Sequence, residues 1–446
     1  MNTALNGKKI AVVGLGVSNL SCIRYLLRHD LKKITIFDTR QQPPRLSELP
    51  SGIEVRLGEL SSEVLSGYDM IVLAPGVSAY REEIVTAEKN GVEIVGDVEL
   101  FAREVKAPVI GVTGSNGKST VTALTTVMAQ CAGLKTVAGA NFGIPVFDIL
   151  DPITDLYVLE LSSFELETTK SLKLKAATIL NVSEDHLDRY NGDIEQYARA
   201  KQRIFMNADG AVVNRADTRT VPFNDIKSVS FGTDAISYGR VVENGGETFL
   251  SVQGEKVLNV RDMKICGVHN ELNALACMAL CDVANIGISR EAQLQALKTF
   301  EGLPHRCQLV ADIKGVSFYN DSKATNVGSA QAAIEGLSSR HGNGIILLAG
   351  GLGKGQDFSP LKQYLGKEVT KVYCFGKDKD KLLALDSERC IDVPDMAEAL
   401  KQARNSATFG QAVLLSPACA SFDQFKGFED RGEQFVAMVQ SMAKDF

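Results

Sequence analysis

The residues best suited to chemistry lie in one short stretch, Thr113–Thr120, which has the sequence TGSNGKST. An apolar run at 107–112 predicts a buried strand before it, and a helical pattern begins at Val121. Glycines in a turn between strand and helix let backbone N–H groups face an anion, and the helix start adds partial positive charge. Lys118 adds a full charge, and Ser119 is placed to hold a Mg²⁺ ion that bridges terminal phosphates. The stretch therefore predicts a site for a nucleoside triphosphate.

This stretch, called the phosphate loop below, is a variant of the usual phosphate-binding pattern. The form Gly-x-x-x-x-Gly-Lys-Ser would place a glycine at position 112, where the chain has Val112. A glycine turn also occurs as a plain tight connection between a strand and a helix, so that alternative stays open from the turn alone. The lysine and serine after the second glycine favour phosphate binding.

Three further residues are candidates because of where they follow predicted strands and helices. Glu160 ends a strand predicted at 157–159, where a carboxylate can complete a Mg²⁺ shell or simply cap a helix. His186 follows a strand predicted at 177–182 and has acids on either side, which favours a metal ligand, a contact to a substrate carboxylate or a structural histidine. Lys201 lies in a basic helix, and its spacing alone indicates a solvated lysine.

A second glycine turn, Gly14-x-Gly16, lies near the N-terminus between a buried strand and a helix predicted at 18–29. The next strand ends at Asp38, and alternating strands and helices predict a parallel sheet with its ligand at the strands' carboxyl ends. Asn19 stands where a full dinucleotide fingerprint has its third glycine, so a nucleotide is indicated without preference for NAD. An NAD-dependent dehydrogenase is an alternative, but it leaves the phosphate loop unexplained.

The elements that must position these residues predict an α/β protein of three domains, at 1–96, 97–302 and 303–446. The first and third are expected to be Rossmann-like, the first with a parallel sheet. The second is expected to be a P-loop ATPase-like α/β domain, with a small antiparallel sheet within 209–260 and a helix at 271–285.

The third domain places polar or glycine-rich residues after its predicted strands. Those strands are 316–319, 345–348, 371–375 and 412–415. The stretches that follow three of them are 320–326 (NDSKATN), 350–355 (GGLGKG) and 416–421 (SPACAS). Each is interpreted as a binding loop, with a helix cap, a mobile glycine loop and close packing of small residues as the respective alternatives.

Composition excludes several other classes of protein. The net charge is −6 and there is no long basic run, which argues against nucleic acid as a partner. No apolar stretch has the length of a membrane span, and the N-terminus lacks a signal-peptide pattern. The nine cysteines are scattered without a Cys-x-x-Cys pair, as expected for core residues in a reducing cytoplasm.

Taken together, these stretches resemble the Mur ligases of bacterial cell-wall synthesis, which are ATP-dependent enzymes that form amide bonds. The resemblance covers essentially the whole chain, with the motifs in the family's order. The stretches that fit the family in general are 113–119, 160–163, 269–270 with Asn273, and 303–306. Those that fit its D-glutamate-adding branch are 38–40, 320–326 and 415–423.

The resemblance implies a reaction and its partners. ATP would phosphorylate the carboxylate of UDP-N-acetylmuramoyl-L-alanine, and the amine of D-glutamate would attack the acyl phosphate to form an amide. Two Mg²⁺ ions are implied, together with a carbamylated Lys201, which would turn a cation into a carboxylate-like ligand. A cytoplasmic monomer is expected. Attack of a carboxylate on a phosphoryl group needs positioning and charge neutralisation more than a protein nucleophile.

The resemblance also implies roles for individual residues. Those implied in catalysis are Lys118, Glu160, His186 and Lys201, and the implied metal ligands are Ser119, Glu160, His186 and Lys201. Those implied in ATP binding are Gly114, Ser115, Asn116, Gly117, Lys118, Ser119, Thr120, Asn270, Asn273, Arg306 and Asp321. Those implied in binding the UDP substrate are Val17, Ser18, Asp38, Thr39, Arg40, Gly76, Asn141 and His186. Those implied in binding D-glutamate are Lys323, Thr325, Lys354, Ser421 and Phe428.

Three substrates on three domains must meet away from water, because acyl phosphates hydrolyse. We therefore expect the third domain to close about the segment 302–304, where Pro304 makes a plausible hinge. Two alternatives remain within the phosphate-loop interpretation: a nucleotide switch or binding module without ligase chemistry, and another amide ligase of the superfamily, such as a folylpolyglutamate synthase or a different Mur enzyme.

Overall fold

The computed structural model describes residues 3–265, 267–338 and 340–444. The chain forms two compact units. The larger unit contains Met1–Asp262 and Leu272–Thr299, and the smaller unit contains Met263–Glu271 and Phe300–Phe446. Among the described residues, no helix combines the length and the apolar character that a bilayer crossing requires.

The larger unit begins with a five-stranded parallel sheet in the order β3-β2-β1-β4-β5. Its strands are β1 (Lys9–Val13), β2 (Lys33–Asp38), β3 (Glu54–Leu57), β4 (Met70–Leu73) and β5 (Glu93–Val95). Its helices are α1 (Val17–Leu26), α2 (Ser62–Leu65), α3 (Glu82–Lys89) and α4 (Asp97–Ala102). The central strands are apolar runs buried on both faces, as a parallel sheet between helices requires. The predicted parallel sheet is confirmed.

A nine-stranded sheet forms the rest of the larger unit, in the order β14-β13-β12-β11-β10-β9-β6-β8-β7. Its strands are β6 (Val109–Thr113), β7 (Thr136–Ala140), β8 (Leu156–Glu160), β9 (Ala176–Ile179), β10 (Ala211–Asn214), β11 (Ser228–Phe231), β12 (Tyr238–Val242), β13 (Thr248–Val252) and β14 (Glu255–Asn259). Its helices are α5 (Lys118–Cys131), α6 (Val146–Ile149), α7 (Ser163–Glu167), α8 (Ile194–Gln202), α9 (Val268–Ala284, whose first residues belong to the smaller unit) and α10 (Arg290–Thr299). Strand β6 lies between β8 and β9, so the residues that follow these three strands meet at one edge.

The stretch 209–260 differs in part from the small antiparallel sheet expected there. Strands β12, β13 and β14 are antiparallel as predicted, but β10 and β11 pair in parallel and extend the central sheet. The connection from Asn214 to Ser228 is about a dozen residues long, which is enough for a parallel crossover and too long for a tight hairpin. The buried apolar face of β10 packs into the core of the central domain, which explains why it joins that sheet.

The smaller unit contains a six-stranded sheet in the order β15-β16-β20-β17-β18-β19. Its strands are β15 (Gln308–Ile313), β16 (Val316–Asn320), β17 (Ile345–Gly350), β18 (Val369–Phe375), β19 (Cys390–Asp392) and β20 (Ala412–Leu415). Its helices are α11 (Val327–Ser338), α12 (Lys379–Leu383), α13 (Met396–Ser406) and α14 (Phe428–Lys444). All four predicted strands are present. The short β19 and the antiparallel edge strand β15 were not predicted, because neither has the continuous apolar run of a central strand.

Candidate active site

The phosphate loop has the predicted strand–turn–helix geometry. Gly114 and Gly117 have φ angles of 149° and 86°, a region that L side chains rarely adopt. Helix α5 begins at Lys118 rather than at Val121, so the lysine itself opens the helix. The Lys118 ammonium donates to the carbonyl oxygens of Gly114 and Ser115, both at 2.9 Å.

Two backbone N–H groups of the phosphate loop are hydrogen-bonded to Asn181, in the segment after β9. The Ser115 N–H donates to the Asn181 carbonyl, and the Asn116 N–H donates to the Asn181 side-chain oxygen, both at 2.9 Å. An anion at this turn must therefore be met chiefly by Lys118 and by the start of α5, where aligned N–H groups carry partial positive charge.

Glu160 is a buried carboxylate at the end of β8, beside the phosphate strand β6. Its Oε1 accepts a 2.6 Å hydrogen bond from Asn141, and its Oε2 has no hydrogen-bond partner among the described residues. A buried oxygen without a donor is costly unless something else satisfies it. The site therefore fits a cation at Glu160.

Lys201 is buried, which contradicts the solvated lysine that its spacing predicted. It is 1% exposed on α8, its ammonium donates to the Gly114 carbonyl at 3.0 Å, and it lies 4.3 Å from the centre of the Tyr197 ring. Burial, and then the nearby Lys118 charge, hold the pKa of Lys201 well below its usual value. The basic composition of the helix hid this position, because burial depends on what packs against it.

His186 has a left-handed backbone (φ 52°) and opens a short 3-10 helix, Leu187–Tyr190. Its side chain is half exposed, packs edge-on against the Phe164 ring with centroids 5.0 Å apart, and lies 3.6 Å from the Asp185 carboxylate. The half-exposed side chain lines the cleft described next.

A cleft of about 990 Å³ in the larger unit brings together all eight residues implied in binding the UDP substrate. They are Val17, Ser18, Asp38, Thr39, Arg40, Gly76, Asn141 and His186. Six lie on or next to elements of the N-terminal sheet and its helix α1, and two lie in segments that follow strands of the central sheet. Sequence reasoning missed Phe164 and Arg189, which also line this cleft and whose apolar or basic character gave no sign of a site.

Asp38 organises the N-terminal side of the cleft. Its carboxylate accepts from the Leu15 amide at 2.7 Å and from the Arg40 guanidinium at 2.7 and 2.8 Å. Burial raises the pKa of Asp38, but the hydrogen bonds from Arg40 and Leu15 outweigh it and hold the net pKa below its usual value. The charged Asp38 thus fixes the glycine turn against Arg40.

Helix α9 places Asn273 against the phosphate loop. A Cβ on Gly117 would lie 2.7 Å from the Asn273 amide oxygen, and the φ of 86° at Gly117 is one that L side chains rarely adopt, so glycine suits this close approach. Asn270 lies one turn earlier on the same helix, within the smaller unit.

In the smaller unit, Asp321 is buried at the end of β16. Its carboxylate accepts from the Ser416 hydroxyl at 2.7 Å and from the Cys307 amide at 3.1 Å. Burial raises the pKa of Asp321 to about 7, while these hydrogen bonds and the Arg306 charge act in the opposite direction. Arg306 therefore lies near enough to Asp321 for its charge to act on that carboxylate.

Three loops meet at the carboxyl ends of β16, β20 and β17. Gln356 donates to the carbonyls of Gly353 and Thr325 at 3.0 and 3.5 Å, and residues Leu352 and Ala420 form a bridge. These contacts join the stretches 320–326, 350–355 and 416–421, each of which was interpreted separately as a binding loop.

The residues implied in binding D-glutamate lie on these loops and on the start of α14. The Lys323 ammonium lies 3.6 Å from the centre of the Phe428 ring, a cation–π contact. Ser421 is buried, Lys354 is exposed on a left-handed backbone (φ 51°), and the Thr325 N–H donates to the Lys323 carbonyl. Lys323, Thr325, Lys354 and Ser421 thus all lie on the loops that follow the carboxyl ends of β16, β17 and β20.

No three His, Cys, Asp or Glu side chains cluster as ligands for a metal ion within the part of the chain that the structure describes. Mg²⁺ commonly uses one or two carboxylates and completes its shell with phosphates and water, and the buried Glu160 is a carboxylate of the type that such a shell uses.

Models of one family match most of the chain, domain by domain. The MurD-like N-terminal domain of Mur ligases matches residues 8–96, the Mur ligase middle domain matches 112–281, and the Mur ligase glutamate ligase domain matches 305–419. The chain belongs to the Mur ligase family.

Relatives with high identity support the same membership. A UDP-N-acetylmuramoylalanine–D-glutamate ligase of Escherichia coli (strain K12) is 48% identical over 439 residues, which cover 98% of this chain and 99% of the relative. The enzyme of that name from Salmonella paratyphi A is 47% identical over 438 residues, which cover 98% of both chains.

Solved structures share the fold. The MurF ligase of Thermotoga maritima in complex with ADP has a TM-score of 0.62 and 16% identity, and covers 100% of this chain and 97% of its own. The UDP-N-acetylmuramate–alanine ligase MurC of the same organism has a TM-score of 0.61 and 21% identity, and covers 98% and 100%. The three-domain α/β architecture predicted from the sequence is thus confirmed as that of the family.

Proposed function

We propose that this protein is an ATP-dependent ligase that joins D-glutamate to UDP-N-acetylmuramoyl-L-alanine in peptidoglycan precursor synthesis. The observation that carries the proposal is a phosphate loop in which Lys118 begins helix α5, next to a strand that ends in the buried carboxylate Glu160. The 48% identity to a ligase of that name supports the choice of substrates.

The reaction has two steps, and neither needs a protein nucleophile. The substrate carboxylate attacks the γ-phosphorus of ATP, forming the acyl phosphate and releasing ADP. The amine of D-glutamate then attacks the acyl carbon, loses a proton, and phosphate leaves. Lys118 and the start of α5 neutralise charge on the transferring phosphoryl group, which is the main task of such a site.

Mg²⁺ would supply positive charge between the phosphates and the substrate carboxylate. Ser119 and Glu160 would hold one ion, and His186 with a carbamylated Lys201 would hold a second. Carbamylation forms when a neutral lysine amine attacks carbon dioxide and loses a proton. The depressed pKa of Lys201 supports this modification, since it leaves the amine neutral at a lower pH than usual.

The remaining roles follow the three predicted domains, 1–96, 97–302 and 303–446. The cleft of the larger unit binds the UDP substrate. The further residues that we assign to ATP are Asn270, Asn273, Arg306 and Asp321. Lys323 and Lys354 pair with the carboxylates of D-glutamate, while Thr325, Ser421 and Phe428 orient it. A monomer in the cytoplasm is the form in which we expect the enzyme to act.

A coupled phosphate-release assay tests the function. We expect phosphate release with ATP, Mg²⁺, UDP-N-acetylmuramoyl-L-alanine and D-glutamate together, and little when either substrate is omitted or L-glutamate replaces D-glutamate. The Lys118→Ala variant is the control and should lose orders of magnitude in turnover. Release that is independent of the UDP substrate would point to a plain nucleotide hydrolase and overturn the proposal.

A further inference from the structure

Asn181 lies just after β9 and makes a reciprocal contact with the phosphate loop. Its side-chain oxygen accepts from the Asn116 N–H at 2.9 Å, and its side-chain nitrogen donates to the Asn116 carbonyl at 3.0 Å. The side-chain amide therefore pairs with both backbone groups of one loop residue, as a neighbouring strand would.

The main chain on either side of Asn181 strengthens this contact. The Leu180 N–H donates to the Thr113 carbonyl and the Ser115 N–H donates to the Asn181 carbonyl, both at 2.9 Å. A Cβ on Gly114 would lie 3.1–3.2 Å from Leu180, so the two segments approach closely. Together these bonds continue the β6–β9 pairing beyond the end of both strands and into the turn.

The segment that carries Asn181 is also hydrogen-bonded to residues that follow β10 or end it. Asn214 donates from its side chain to the Leu180 carbonyl at 2.9 Å, and the Val182 N–H donates to the Asp217 carboxylate at 2.7 Å. Ser183 closes the contact on the other side, since its N–H donates to the Ser115 hydroxyl at 2.9 Å. Asn181 thus pairs the phosphate loop with a segment, 180–183, that is itself fixed by hydrogen bonds on both sides. The candidate metal ligand His186 follows three residues after the end of this segment.

We propose that Asn181 is a positioning residue that holds the phosphate loop in its nucleotide-binding conformation. By occupying both backbone groups of Asn116, it fixes the peptide planes that lead into Gly117 and so aims the start of α5 at the phosphates. The inference rests on the proposed function, because it concerns the nucleotide site of that reaction. Asparagine is the residue type that meets the need, since it carries a donor and an acceptor on one short side chain.

The chain offers a matched control in Asn214. Its side-chain oxygen accepts from the Ala216 N–H and its nitrogen donates to the Leu180 carbonyl, both at 2.9 Å, so it makes the same two kinds of bond without touching the phosphate loop. Because Asn214 supports the segment that carries Asn181, its variants measure the effect of loosening that segment. If Asn181 acted only by stabilising the segment, the Asn181 and Asn214 variants would weaken ADP binding equally.

The test measures ADP binding in the presence of Mg²⁺ by calorimetry, for the full chain and for Asn181→Asp, Asn181→Ala, Asn214→Asp and Asn214→Ala. We expect the Asn181 variants to bind ADP about tenfold more weakly, since each loses a backbone partner, and the Asn214 variants to stay within about threefold of the parent. Steady-state kinetics should show a raised KM for ATP with an unchanged KM for UDP-N-acetylmuramoyl-L-alanine in the Asn181 variants. The thermal midpoints should fall similarly in both sets.

Equal losses of ADP affinity in both sets, or Asn181 variants that bind ADP like the parent, would overturn the inference. Hydrogen exchange on the unaltered protein gives a reading that does not depend on variants: the Ser115 and Asn116 amides should be protected without nucleotide, and rapid exchange there would also overturn it. A parent that binds no ADP would instead overturn the proposed function, and this inference with it.

Discussion

Lys201 shows how burial changes what a lysine can do. Its ammonium shares the Gly114 carbonyl with that of Lys118, so two cations converge on one acceptor. When the Lys201 ammonium loses its proton, the protein no longer holds a buried charge there, and the repulsion from Lys118 disappears. The pKa of Lys201 is therefore depressed. A neutral lysine is the form that reacts with carbon dioxide, so the lowered pKa is in the direction that the proposed carbamate needs.

We predict that Lys201→Ala is nearly inactive and that short carboxylates such as formate or acetate restore part of its activity. The small acid would enter the space of the missing side chain and replace the carbamate as a ligand. Turnover measured across a carboxylate concentration series checks this. The same series on Lys118→Ala is the control, where no rescue is expected. Equal rescue of both variants would mean that a carboxylate is not the missing group.

The raised pKa of Asp321 predicts how the stability of the folded protein changes with pH. Burial raises its pKa to about 7, whereas an aspartate in the unfolded chain has a pKa of about 4. Between these values the folded protein keeps a proton that the unfolded chain has released. The stabilisation from Asp321 is therefore fully present below about pH 4 and is lost as the pH rises towards 7.

We predict that Asp321→Asn gains stability relative to the parent as the pH rises from 5 to 8. The asparagine oxygen can still accept from Cys307, its nitrogen can donate to the Ser416 oxygen, and it carries no titrating proton. Thermal unfolding at several pH values checks this. A difference between the two midpoints that does not change with pH would contradict the raised pKa.

At the scale of elements, the 3-10 helix Leu187–Tyr190 connects both walls of the substrate cleft through Arg189. The guanidinium donates to the carbonyls of Pro75 and Val77 at 3.0 and 3.2 Å on the N-terminal side. On the central side it pairs with Glu167 at 2.6 Å and lies 4.1 Å from the centre of the Phe164 ring. Because Phe164 also supports His186, one side chain sets the position of both walls.

We predict that Arg189→Met raises the KM for the UDP substrate about tenfold, since the cleft loses a buried, multiply bonded cation, while the KM for ATP changes less than about twofold. Arg203→Met is the matched control. Arg203 is bonded to the carbonyls of Leu166 and Thr169 at 2.6 and 2.8 Å but does not line this cleft. If both variants raise the same KM equally, the effect comes from lost stability and not from the cleft.

At the scale of the whole molecule, the residues proposed to bind the substrates are divided among three sheets. The N-terminal sheet contributes most of the cleft, the central sheet carries the phosphate loop, and the C-terminal sheet carries the loops assigned to D-glutamate. A reactive acyl phosphate survives only where water is excluded.

We therefore predict that substrates change the shape of the molecule in solution. X-ray scattering of the protein with an unreactive ATP analogue, Mg²⁺, the UDP substrate and D-glutamate should differ from that of the protein alone, with a smaller radius of gyration. The Lys118→Ala variant, which should bind the nucleotide poorly, is the control and should change less. Identical curves with and without ligands would count against closure about 302–304.

Much of the fold was predictable because it depends on local patterns. Apolar runs such as Val109–Thr113 form buried strands in any α/β sheet, and the glycine turn with Lys118 follows from spacing that the backbone itself imposes. The polar stretches after β16, β17 and β20 were predicted one by one, and the structure brings them together because β20 lies between the other two strands, so that their carboxyl ends share one edge.

The sequence by itself thus determined the α/β class, the phosphate loop and the family to which the chain belongs. Only the tertiary structure decided that Lys201 is buried, that Asn181 pairs with the phosphate loop, that Arg189 joins two walls of a cleft and that β10 and β11 extend the central sheet. The physical reason is that burial, and hydrogen bonds between residues distant in sequence, depend on which segments become neighbours, whereas turn geometry and apolar periodicity act within a few residues.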